Sequence, residues 1–147
     1  MLHKVGLVLT LVILASAPMG CGTSTDPGGD DMYSSLLENP SEVVLDYGEE
    51  VSVGGSILRV AFGQVLSDSR CPTDVVCVWE GNAEVEIGVR AGMGPTIPQR
   101  LNTSRDPRFV DWQGIRITLL ELDPAPKSDK AIAAEDYSVR LRFEPLS

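Results

Sequence analysis

Three cysteines carry most of the chemistry this chain could perform. Cys21 follows Pro18-Met19-Gly20 and an apolar run, Val5 to Ala17, interrupted only by Gly6, Thr10 and Ser16. His3 and Lys4 supply a basic start ahead of that run. A small residue directly before a cysteine, at the end of such a run, is the layout a lipoprotein signal peptidase acts on. The thiol receives diacylglycerol, the chain is cut before it, and the new α-amine can be acylated too. Several buried acyl chains make such an anchor stable, where one would be marginal. The alternative is ordinary cleavage after Ala15 or Ala17, which would release the protein.

Setting Cys21 aside leaves Cys71 and Cys77. Two remaining thiols in an oxidising envelope compartment are expected to pair. The ring would be Cys71-Pro-Thr-Asp-Val-Val-Cys77. A metal site is the rival, but two thiolates alone do not close a zinc site, and the only histidine lies in the export signal. Asp26, Asp30 and Asp31 match no calcium-loop spacing. No metal and no cofactor is expected.

Other chemistries fare no better. Without a histidine after residue 3 there is no Ser-His-Asp or Cys-His arrangement. No glycine-rich phosphate loop is present. Acidic residues are plentiful, but on wet strand faces they read as solubilising. Without Lys4 the 12 Lys and Arg fall to 11 against 21 Asp and Glu, a net charge of −10. Such a surface repels nucleic acid and anionic lipid. Neither an enzyme nor a nucleic-acid binder is expected.

These residues must be positioned by three segments. Residues 1–20 read as the lipoprotein signal peptide. Residues 21–41 are the lipidated cysteine and a linker. Its first part, Gly22 to Asp31, has no apolar residue to bury and cannot offset its ordering entropy. About twenty such residues reach roughly 25 Å, enough to lift a domain clear of lipid headgroups. Residues 42–147 form the domain.

In that domain the period of two is clear. Leu58, Val60, Phe62 and Leu66 are expected on the buried face of one strand. Ala83, Val85, Ile87 and Val89 define a second, and Tyr137, Val139, Leu141 and Phe143 a third. Val43 to Tyr47 and Glu50 to Val53 are weaker strands. Ile115 to Leu122 turns apolar on both faces after Leu119, so it is central or carries a bulge. Gln99 to Asn102 and Phe109 to Trp112 suit an edge or hairpin. Ser128 to Glu135 could hold one or two helical turns. The pattern predicts an all-β domain: a small antiparallel β-sandwich, immunoglobulin-like or related, or a partly open barrel, with one intra-loop disulfide.

The sharpest constellation is Asp68-Ser-Arg-Cys-Pro-Thr-Asp-Val-Val-Cys-Val-Trp-Glu-Gly81. A proline-stiffened loop should leave one strand and re-enter extended structure at Cys77-Val78-Trp79, with Gly81 at a bulge or bend. With the segments Leu119 to Pro126 and Tyr137 to Leu141, it resembles an uncharacterised family of bacterial secreted proteins and lipoproteins. That family shares a D-S-R-C-P, four residues, C-x-W-x-G pattern. The resemblance covers most of residues 56 to 143 and implies a β-domain rather than a chemistry. It carries over no catalytic residue.

Within the loop, Arg70 either reaches a partner's carboxylate or pairs with Asp68 or a neighbouring carbonyl. Trp79, beside the disulfide, is expected to pack against sulfur in the core, the alternative being a half-exposed aromatic platform for sugar or peptide. Trp112, among Asp111, Gln113 and Gly114, is the better candidate for exposure. Asp68, Arg70 and Trp112 are therefore the candidate binding residues. The expected function is that of a membrane-anchored, non-catalytic envelope lipoprotein, at the outer membrane or periplasmic face. It would be a monomer that binds an envelope protein, peptide or glycan through its loops. The competing expectation is a protease inhibitor presenting Pro72 to Val76. Asn102-Thr103-Ser104 is a formal glycosylation sequon, read as incidental.

Overall fold

The computed structural model describes residues 40–146. The signal segment, Cys21 and most of the linker lie outside the described residues. Eight strands follow in order: β1 (Ser41–Asp46), β2 (Glu50–Ser52), β3 (Leu58–Asp68), β4 (Ala83–Ala91), β5 (Ile97–Asn102), β6 (Phe109–Trp112), β7 (Ile115–Asp123) and β8 (Ser138–Pro145). They form two four-stranded antiparallel sheets, ordered β1-β8-β7-β6 and β2-β3-β4-β5. The arrangement is a sandwich rather than a closed barrel. β1, β6, β2 and β5 are the outer strands.

The alternation explains the layering. Leu58, Val60 and Phe62 of β3, with Val85, Ile87 and Val89 of β4, face Ile115, Ile117 and Leu119 of β7 and Val139, Leu141 and Phe143 of β8 in one core. Each fully buried side chain of this size contributes about 1.5–3 kcal/mol. The intervening residues form cross-strand ion pairs on the wet faces, among them Arg90 with Glu50, Arg142 with Glu42 and Arg116 with Asp111. They solvate the sheets and pair locally, as their alternation predicts.

Bulges alter the expected parity in two strands. On β7 the register shifts between Leu119 and Glu121, so Leu120 is extra and Leu122 returns to the core. That is the bulge foreseen from the doubly apolar stretch, and β7 is a central strand. On β3 the register shifts between Phe62 and Gln64 and again between Val65 and Ser67. Val65 therefore takes the inward place opposite Val85, and Leu66 is exposed, contrary to the strict alternation.

The segment 128–135 forms no α-helix. It makes a tight turn bridging Lys127 and Lys130, and only a single 3-10 turn follows at Ala134–Asp136. Eight residues are too few to nucleate an α-helix unaided. The start of this segment is moreover captured elsewhere, because Ser128 is hydrogen-bonded to Asp74.

Candidate functional site

The β3–β4 hairpin runs on past the end of its sheet. Ser69 N–H donates to the carbonyl of Asn82 at 2.8 Å, and Cys71 N–H to that of Glu80 at 2.9 Å. Residues 72–79 form the loop beyond this last rung. The Cys71–Cys77 disulfide closes the ring within it, and Val75 N–H turns back to the Pro72 carbonyl at 3.3 Å. Between the rungs Gly81 sits at φ 73°. A Cβ there would lie 1.9 Å from the Ser69 carbonyl oxygen, so only glycine lets the two strands approach. Gly81 is thus the anticipated bend. Val78 and Trp79, however, form bends rather than extended strand, and regular structure resumes only at Ala83.

Arg70 and Asp68 are brought together at the loop's base. The Arg70 guanidinium grips the Asp68 carboxylate with Nε at 2.9 Å from Oδ1 and Nη2 at 2.7 Å from Oδ2. Arg70 N–H adds a third bond to Oδ1, and Tyr137 O–H donates to Oδ2 at 3.0 Å. The same guanidinium donates from Nη1 to the Leu122 carbonyl and from Nη2 to the Pro124 carbonyl. Both side chains are largely buried, with 14% and 11% of their surface exposed. Burial would push the Asp68 carboxyl up, but the bonds from Arg70, its charge and the Tyr137 hydroxyl outweigh this and hold it below the usual range. Burial, and then the bond to Asp68, push the Tyr137 phenol up.

The bracing extends along both flanks. Thr73 N–H donates to the Pro126 carbonyl at 2.9 Å. Asp74 accepts from the Ser128 N–H at 2.9 Å and from its hydroxyl, and these bonds hold the Asp74 carboxyl down. On the other flank the buried Asn82 amide donates to the Asn102 side-chain carbonyl at 2.8 Å, and Ser104 N–H donates to Asn82 Oδ1 at 3.1 Å. Asn102, only 5% exposed, donates in turn to the Pro107 carbonyl. The formal sequon is therefore part of the packing that holds the hairpin.

This leaves a rigid base and an apolar tip. Val76 and Val78 are almost wholly exposed, and Trp79 is 82% exposed. The expectation that Trp79 packs in the core against the disulfide is overturned. The ring's other side is held to residues 122–128, which turns residues 76–79 outward. Trp112 is the half-buried tryptophan, packed against the core at the end of β6. It stands opposite Ile115, while the Arg70 contacts lie at the other end of β7 near Asp123. At about 3.3 Å per strand residue the two are some 25 Å apart, so Trp112 does not share a surface with the loop. The three candidate residues thus do not form one exposed patch. Among the described residues no cluster of three or more His, Cys, Asp or Glu side chains is placed to hold a metal. Comparison with protein families, curated proteins and solved structures returned no match.

Proposed function

We propose that this protein is a membrane-anchored, non-catalytic lipoprotein of the cell envelope whose β-sandwich serves as a binding module. The observation that carries this reading is the apolar tip Val76, Val78 and Trp79 on a covalently closed, hydrogen-bonded loop. Pre-organised loops lose little entropy on binding, and an exposed indole beside aliphatic side chains is typical of an interface anchor. The contact residues are then Val76, Val78 and Trp79, while Asp68 and Arg70 hold the tip and Trp112 supports the core. The Asp68–Arg70–Tyr137 cluster bonds to itself and to backbone carbonyls, which suits bracing rather than turnover.

A photo-crosslinking side chain at Val78 in the full protein, expressed in its own envelope, tests this. We expect a discrete adduct from position 78 and none from Val44, which is exposed on the outer face of β1. The reading fails if position 78 yields no adduct, or if Arg70→Ala abolishes adduct formation at unchanged stability. The full exposure of Val76 within the ring also suits an inhibitory loop offered to a protease. Stoichiometric block of an enzyme in a protease panel would select that second reading.

A further inference from the structure

We infer that the tip is received by a protein pocket with an apolar floor and a basic rim, reached on the side of the domain away from the chain's own anchor. This rests on the reading of the tip as a binding surface and names its partner's chemistry.

Direction is the first argument. The chain enters the sandwich at Ser41, which pairs with Phe143 of β8. The disulfide loop is tied to Leu122 and Pro124, and Leu122 and Asp123 pair with Val139 and Ser138 at the opposite end of the same strand. Five residues of β8 separate the two ends, roughly 17 Å. Loop 72–79 projects further still, beyond the last rung of its hairpin. A domain hung from residues 22–40 therefore carries its tip at the end remote from the point of attachment.

Charge is the second. Residues 71–81 contain Asp74 and Glu80 and no Lys or Arg. Of the segments that brace them, 123–136 adds Asp123, Asp129, Glu135 and Asp136 against Lys127 and Lys130, and 103–108 adds Arg105 and Arg108 against Asp106, so the surround is acidic on the side of residues 123–136 and acidic in sum. Asp74 is kept ionised by its bonds to Ser128. Driving the tip into a bilayer would press these carboxylates against headgroups, with repulsion on anionic lipid and desolvation on any lipid. A second copy would bring the same acidic rim against itself. A basic rim on the partner satisfies both the apolar tip and its acidic surround.

Side-chain chemistry is the third. Between Val75 and Trp79 the indole N–H is the sole side-chain hydrogen-bond donor, the other side chains being valines and the disulfide-bonded Cys77. Valines offer nothing to sugar hydroxyls. The tip matches an apolar cavity in a protein better than a glycan.

The test uses the full chain with three probes, in detergent for the first and third and seated in detergent-free vesicles for the second. Binders are selected from a randomised displayed-peptide library. We expect them to carry Lys or Arg around an apolar core, to lose at least tenfold in affinity against Trp79→Ala or Val78→Ser, and to weaken several-fold between 50 and 500 mM salt. Vesicles of phosphatidylcholine, alone and with phosphatidylglycerol, bearing brominated acyl chains should not quench Trp79, with Trp79→Phe supplying the Trp112 background. Sedimentation at micromolar concentration should show no association that Trp79→Ala removes. Quenching by either vesicle, or tip-dependent self-association, overturns the inference. So do binders that need Trp79 yet lack basic residues and ignore salt, although the tip would then remain a binding surface. Binders indifferent to both tip variants overturn the inference together with the reading on which it rests.

Discussion

Arg70 joins three parts of the chain: its own hairpin through Asp68, the end of β7 through Leu122, and the following connection through Pro124. Removing it would leave a largely buried carboxylate with Tyr137 as its remaining side-chain donor. Arg70→Ala should therefore destabilise the domain by about 2–4 kcal/mol. For a domain of this size that lowers the melting temperature by roughly 10 °C or more. A melt within 2 °C of the unaltered protein would show that the bracing is inconsequential. The same cluster shapes the pH response. Asp68 lies below its ordinary value in the fold, so its contribution is complete above about pH 4, the unfolded value, and is lost as pH falls through the lower folded value. Denaturant melts at falling pH should show a steeper loss below pH ~4 than the Asp68→Asn variant shows. Tyr137 runs the other way. Its raised value means a contribution complete below about pH 10 and lost as pH climbs through the folded value, so Tyr137→Phe should flatten the alkaline limb. Parallel profiles for variant and parent would refute either half.

At the scale of elements, the hairpin that bears the tip depends on two devices. Gly81→Ala would force a methyl into the Ser69 carbonyl and hold a left-handed backbone with a side chain. It should cost about 3 kcal/mol or more, against about 1 kcal/mol for Gly48→Ala, where φ is 77° but nothing lies within 4 Å. Equal losses at both positions would deny the close approach. Replacing Cys71 and Cys77 with serine opens a seven-residue ring and should remove on the order of 2 kcal/mol in the chain-entropy model. Far-UV strand signal should persist, because the rungs at Ser69 and Cys71 are backbone bonds. Much of this architecture was legible beforehand. The alternation in β4 and β8 and the doubly apolar β7 follow from side chains within one strand. The tip was legible only as an alternative: a presented loop from Pro72 to Val76 and an exposed Trp79 were open readings, and nothing in the sequence selected them. Which way a ring faces depends on Thr73, Asp74 and Arg70 meeting residues 122–128, about fifty positions away, and local sequence carries no mark of that. Leu66 misled for a related reason, since a bulge beside Gly63 reverses parity without changing composition.

For the whole molecule, the proposal of an anchored binder makes Cys21 decisive. Intact-mass measurement of the mature protein should give the chain from Cys21 plus diacylglyceryl, and Cys21→Ser should leave it unprocessed or released. An unmodified chain starting near Pro18 would refute the anchor while leaving the sandwich untouched. The sheet borders bear on what happens when such chains accumulate. Of the outer strands, β2 has three residues and β6 four, β5 contains Pro98, and β1 follows Pro40 and carries Glu42 and Asp46. Short, proline-interrupted or charged margins are poor templates for another chain's backbone. Confinement to a plane would raise local concentration far above that in solution, a condition that favours edge-to-edge polymerisation and fibril growth. Among the described residues this fold offers no long bare margin on which stacking could begin, so a dense carpet of the protein should stay a population of separate sandwiches.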